Sequence, residues 1–186
     1  QQYTDPVAYH YHDVARASLS APACGPTAGG ARVTVHGSGL TNGSDYRCAF
    51  GGVAHGVVPA QLVVLGEGFH SRSFEEHEAA VNCTLPDGLP PNSSGLLHVA
   101  LNGQQFSREP LAFAVYEQPN ASAASPTSGP ALGGTVVHVS GRALSGGCDY
   151  TCAFGGALVP ATFNASFGAG GAVRCALPAF GAYEHN

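Results

Sequence analysis

The sequence predicts an all-β chain of two β-sandwich domains in tandem, and three observations carry that reading. The chain repeats internally: CGPTAGGARVTVHGSGLTNGSDYRCAFGG, residues 24–52, matches SGPALGGTVVHVSGRALSGGCDYTCAFGG, residues 128–156, without a gap. Self-similarity of this kind marks a structural unit used more than once. Apolar residues alternate with period two through both copies, the pattern of strands with one buried face. Composition agrees: 26 Gly and 13 Pro, no Met or Trp, and only 10% charged residues suit many short turns rather than long amphipathic helices. A length of 186 residues accommodates two domains more readily than one.

The first element in chain order is a strand out of place. QQYTDPVAYHYHDVARASLSAP falls on QQFSREPLAFAVYEQPNASAASP, with one residue of slack near the beginning. The second segment closes one repeat and leads into the next. Residues 1–14 are therefore expected to be the last strand of a repeat whose body lies elsewhere. Val7, Tyr9 and Tyr11 form its inward face and correspond to Leu111, Phe113 and Val115. His10 and His12 fall on the outward face, where a spacing of two can chelate a metal, but solvated histidines are the simpler reading.

The first domain is assigned residues 15–118. Val33 and Val35 share a face, and Tyr46, Cys48 and Phe50 alternate with Arg47 and Ala49. Val81, Cys83 and Leu85 point inward, which turns Asn82 outward. Leu97, Val99 and Leu101 form the next inward face. The chain then turns at Asn102-Gly103, a strong hairpin signal, and returns with Leu111, Phe113 and Val115 inward.

The second domain is assigned residues 119–186. Val137 and Val139, then Tyr150, Cys152 and Phe154, then Val173, Cys175 and Leu177 repeat the inward pattern. After Pro178 the match weakens, because AFGAYEHN is much shorter than DGLPPNSSGLLHVALNG. Tyr183 and His185 align with Val99 and Leu101, so this domain is expected to lack its last strand and to offer Tyr183 and His185 as an open edge.

The motifs P-x-x-G-P-x-x-G-G-x-x-V-x-V-x-G, Y-x-C-x-F-G, V-x-C-x-x-P and L-N-G-Q-Q-F together resemble the IPT/TIG domain over nearly the whole chain. That resemblance implies an Ig-like sandwich of the type found in plexins, other cell-surface receptors and some transcription factors. It implies an extracellular binding or structural role. The transcription-factor branch fits poorly, since basic DNA-contacting loops are missing.

Cys48 and Cys83, and at matched positions Cys152 and Cys175, share inward phase, which predicts one bridge within each domain. Each closes a loop of tens of residues and contributes about 3–4 kcal/mol in the loop-entropy estimate. Cys24 and Cys148 have Ser128 and Ser44 as counterparts, so neither belongs to the shared framework. In an Ig-like sandwich the loops that carry them lie at ends that face each other across a domain joint. An interdomain bridge Cys24–Cys148 is expected; two free or intermolecular thiols are the alternative.

Five sequons accompany the cysteines: Asn42-Gly-Ser, Asn82-Cys-Thr, Asn92-Ser-Ser, Asn120-Ala-Ser and Asn164-Ala-Ser. Together they point to a secreted or cell-surface glycoprotein carrying covalent N-glycans and no other cofactor. A net charge of −5 without a basic cluster argues against nucleic acid as a partner. No apolar run is long enough to span a bilayer, and no signal peptide is visible, which reads as a processed chain.

No catalytic constellation emerges. H-E-x-x-H, G-x-S-x-G and phosphate-cradling loops are missing from the sequence, the glycine pairs sit in turns, and the cysteines have structural partners. Residues 66–80 form an insert with no counterpart in the second domain, rich in Glu67, His70, Glu75, Glu76, His77 and Glu78. A solvated hairpin extension is the simpler reading beside a Ca²⁺ site, so no metal site is assigned. The sequence thus predicts a non-enzymatic subunit of an extracellular filament, a homopolymer. Its N-terminal strand would enter the incomplete second domain of the next copy head to tail. The alternative is a fragment of a cell-surface receptor or adhesion ectodomain with many IPT repeats.

Overall fold

The computed structural model describes residues 8–9, 11–52, 56–64, 79–91, 94–168 and 170–179. Strands and turns account for the regular structure, and no helix occurs among the described residues. The chain separates into two compact units, one of Gln1–Ala23, Gly30–Pro86 and Ser94–Phe113, the other of Cys24–Gly29, Asp87–Ser93 and Ala114–Asn186.

In the first unit β1 (Arg16–Ala21), β3 (Arg32–Ser38) and β6 (Ala79–Thr84) pair antiparallel in the order β1-β3-β6. β5 (Val57–Val64) joins two layers. Its residues from Ala60 onward pair with β6, while Val57 to Pro59 pair with β4 (Arg47–Phe50). On its other side β4 pairs with β7 (Ser94–Ala100), Cys48 opposite Val99 and Phe50 opposite Leu97. Period-two burial follows directly from this sandwich. Val33, Val35, Val81, Cys48, Leu97 and Val99 are completely enclosed. Ala49 departs from the expected alternation and is also fully buried. It sits on an interior strand opposite His98, and its small side chain is easily covered by neighbours on both flanks.

Two polar devices fix the turns. The Tyr46 hydroxyl donates to the Leu40 carbonyl (3.0 Å) and accepts from the Gly43 amide (2.8 Å), closing the loop between β3 and β4. At the turn after β7, the Asn102 carboxamide oxygen accepts from the amides of Gln104 and Gln105, and Gly103 takes a positive φ of 71°. The hairpin signal at Asn102-Gly103 therefore has a mechanism, since that backbone region disfavours a side chain.

The second unit repeats the first layer. β9 (Asn120–Ser125), β10 (Val136–Arg142), β13 (Ala172–Ala176), β12 (Ala157–Asn164) and β11 (Tyr150–Phe154) form one sheet, in that spatial order. The unit also takes in β2 (Cys24–Pro26) and the end of β8 (Leu111–Tyr116), which pair in parallel with Cys24 opposite Ala114. Sequence reading had not separated β2 as a strand, because three residues of CGP carry no periodicity.

Among the described residues of the N-terminal segment, Ala8, Tyr9 and 11–15 form no strand, and regular structure begins at Arg16. The strand expected over 1–14 as a donor to a neighbouring copy is not seen in these residues of the single chain, and residues 1–7 and 10 lie outside the described ones.

Candidate functional site

The second unit contains an apolar cleft of about 490 Å³. Val137 and Val139 of β10, Cys152 and Phe154 of β11, and Leu144 and Val173 line it. Its cause is legible by comparing matched positions. Val35, Cys48 and Phe50 are 0%, 0% and 1% exposed, whereas Val139, Cys152 and Phe154 are only partly buried. The same residue types at the same places in the repeat are left partly open to solvent.

Topology explains the difference. β4 is flanked by β5 and β7, but among the described residues β11 pairs with β12 alone. In the first copy β8 supplies Phe113, which meets Phe50 edge to face with ring centroids 5.2 Å apart. Phe154 has no such ring against it among the described residues; the core of this unit is carried by Leu144, Val173 and Cys175, with Tyr150 stacked on Phe163 at 5.9 Å.

Polar groups rim the cleft: Ser145, Asp149 and Thr151 line it alongside the apolar wall. The Tyr150 hydroxyl accepts from the Gly147 amide (3.1 Å), as Tyr46 does from Gly43 in the first copy. The cleft is thus mainly apolar, with a few polar groups among its lining residues.

The other sequence-derived residues are placed as follows. Cys48 is bonded to Cys83 and Cys152 to Cys175. Cys24 is bonded to Cys148, and both fall within the second compact unit. Asn42, Asn120 and Asn164 are exposed, and Asn82 is half-buried with its carboxamide oxygen accepting from the Thr34 hydroxyl (2.8 Å). Tyr9 and Tyr11 are 77% and 89% exposed, their rings edge to face at 5.1 Å. Val7, Asn92, Tyr183 and His185 lie outside the described residues, as does the insert up to Glu78. The expected acceptor edge at Tyr183 and His185 therefore has no described geometry, and the opening that is described runs along β10 and β11. Sequence reading missed this wall because Val139, Cys152 and Phe154 look identical to their fully buried counterparts. Among the described residues no group of three or more His, Cys, Asp or Glu is arranged to hold a metal ion.

The IPT/TIG domain profile matches residues 17–115 and again 119–186. The chain belongs to the IPT/TIG family. Among solved structures, the full extracellular region of plexin A4, domains 1 to 10, is similar over 89% of this chain, at a TM-score of 0.50 and 19% identity. The chain spans 13% of that ectodomain. At this identity the likeness concerns the fold. Comparison with curated proteins gave no match.

Proposed function

We propose that this chain is a non-catalytic structural segment of an extracellular glycoprotein built from IPT/TIG repeats, as in a receptor or adhesion ectodomain. The observation that carries the reading is the repeated, disulfide-braced sandwich. Both copies close the same inward cysteine pair, and Cys24–Cys148 adds a third bond. Disulfide bonds persist in oxidising compartments. Exposed sequons at Asn42, Asn120 and Asn164 support the same location. The plexin likeness supports an ectodomain as the setting in which such repeats are strung together.

The second reading is that the chain is the subunit of a filament, joined head to tail by strand insertion. A heterologous contact of that kind propagates rather than closing on itself.

Secretion of the chain from a eukaryotic cell, followed by non-reducing peptide mapping, tests the first reading. The expected result is three intramolecular disulfides and N-glycans on the exposed sequons. Free thiols and unmodified asparagines in the secreted product contradict it. Intact mass of the natural protein and negative-stain images separate a long multi-repeat ectodomain from a self-polymerising chain.

A further inference from the structure

We infer that Cys148 is a thiol–disulfide exchange site, at which a dithiol protein of the thioredoxin class opens the Cys24–Cys148 bond while both repeats stay folded. The inference goes beyond the structural role proposed above, which needs the bond only to form.

This bond stands outside the framework that the two repeats share. Cys48–Cys83 and Cys152–Cys175 occupy matched positions, whereas the counterparts of Cys24 and Cys148 are Ser128 and Ser44. It joins one family match to the other across a sequence separation of 124. What holds its two ends is independent of it. In the β10–β11 loop Leu144 is buried and the Tyr150 hydroxyl accepts from the Gly147 amide. The β3–β4 loop repeats both features with Leu40, Tyr46 and Gly43, and carries Ser44 in place of the cysteine. That loop shape therefore forms without a disulfide. At the other end β2 is held by its ladder to β8, and the Thr27 amide donates to the Tyr116 carbonyl (2.8 Å).

Access and charge select the sulfur that is attacked. Cys148 is exposed, Cys152 is half-buried, and Cys24, Cys48, Cys83 and Cys175 are buried. The exposure belongs to the loop, since Ser44 is exposed at the matched place in the first repeat. An external thiolate thus reaches this bond at Cys148 Sγ. The Asp149 carboxylate lies 3.9 Å from that sulfur and opposes negative charge on it. The Cys148 amide donates to Cys24 Sγ at 3.0 Å and favours negative charge there. As the thiolate bonds to Cys148, the electron pair of the broken S–S bond leaves with Cys24. The second thiol of the dithiol then attacks its own partner sulfur and releases Cys148. The dithiol ends as a disulfide, and the two protons it loses end on Cys24 and Cys148.

Differential alkylation of the secreted, folded chain tests this. Reduced thioredoxin is added, samples are quenched with iodoacetamide at intervals, and the peptides are mapped. Cys24 and Cys148 are expected to label together, at least about tenfold faster than the framework cysteines. Far-UV circular dichroism should stay unchanged while they do. A thioredoxin variant without its resolving cysteine is expected to be trapped on Cys148. Asp149→Asn should speed opening by roughly fivefold at low salt, the effect of one unit charge at about 4 Å in water, and by less at high salt. All cysteines opening at one rate, loss of strand signal with the first labelling, or an adduct trapped on Cys24 overturns the inference. So does an Asp149→Asn rate no faster than wild type. Mapping before thioredoxin is added keeps the two readings apart: free framework thiols there contradict the extracellular repeat reading, whereas intact framework bonds with no ordered opening remove the exchange site alone.

Discussion

Phe113 closes the core of the first repeat by meeting Phe50 edge to face, centroids 5.2 Å apart and planes at 70°. Both rings are almost completely enclosed, at 2% and 1% exposure. Phe154 occupies the place of Phe50 in the second copy and faces the cleft instead. Truncation should therefore have unequal effects at matched positions. Phe50→Ala is expected to cost about 3–5 kcal/mol, the usual range for an enclosed aromatic. Phe154→Ala should cost about 1 kcal/mol in dilute solution, because part of its surface is already solvated. Denaturant unfolding followed by site-resolved amide exchange reads the two repeats separately.

The tyrosine that closes the β3–β4 loop offers a second check. Tyr46→Phe keeps the ring and removes a hydroxyl that both donates to Leu40 and accepts from Gly43. Leaving those backbone groups unpaired should cost about 1–2 kcal/mol. Gly43→Ala should be worse than neutral for a separate reason. An added methyl would lie 2.6 Å from the Leu101 carbonyl oxygen and 2.7 Å from the Tyr46 ring. Thermal melts of the two variants measure both effects.

Asn42 adopts a positive φ of 63°, a region that asparagine and glycine tolerate better than other residues. Removing its sequon by Asn42→Gln is expected to destabilise the first repeat by about 1 kcal/mol, whereas Asn42→Gly removes the sequon with little loss. Comparing the two separates the backbone effect from the effect of the glycan. Denaturant midpoints of the unglycosylated proteins give the answer.

Removing a framework disulfide should be felt in its own repeat. Cys48 and Cys83 are separated by 35 residues, Cys152 and Cys175 by 23. Double alanine replacement of either pair is expected to cost about 3–4 kcal/mol by loop closure alone. Differential scanning calorimetry of each double variant against wild type checks it.

Much of this architecture is legible in the sequence because burial here follows backbone phase. Once Cys48 and Cys83 are set inward, Asn82 must turn outward, and it is found half-buried on the outer side of β6. The repeat carries the same phase onto Cys152, Cys175 and Val173. Pairing that depends on tertiary context was harder to read. β5 changes partner between Pro59 and Ala60, and the switch leaves no mark in VVPAQLVV beyond one proline. Ala49 looked like an outward residue and is enclosed, because a methyl group is too small for its own periodicity to decide its exposure. The acceptor edge expected at Tyr183 and His185 lies outside the described residues. Phe154 is only partly buried where Phe50 is enclosed, a difference that the identity of a side chain does not reveal.

The central claim is that the chain is a disulfide-braced tandem of IPT/TIG sandwiches from an extracellular glycoprotein. Non-reducing peptide mapping of the chain secreted from a eukaryotic cell tests it most directly. Cys48–Cys83, Cys152–Cys175 and Cys24–Cys148 are predicted as intramolecular bonds, with N-glycans on Asn42, Asn120 and Asn164. Free thiols together with unmodified asparagines would contradict the account.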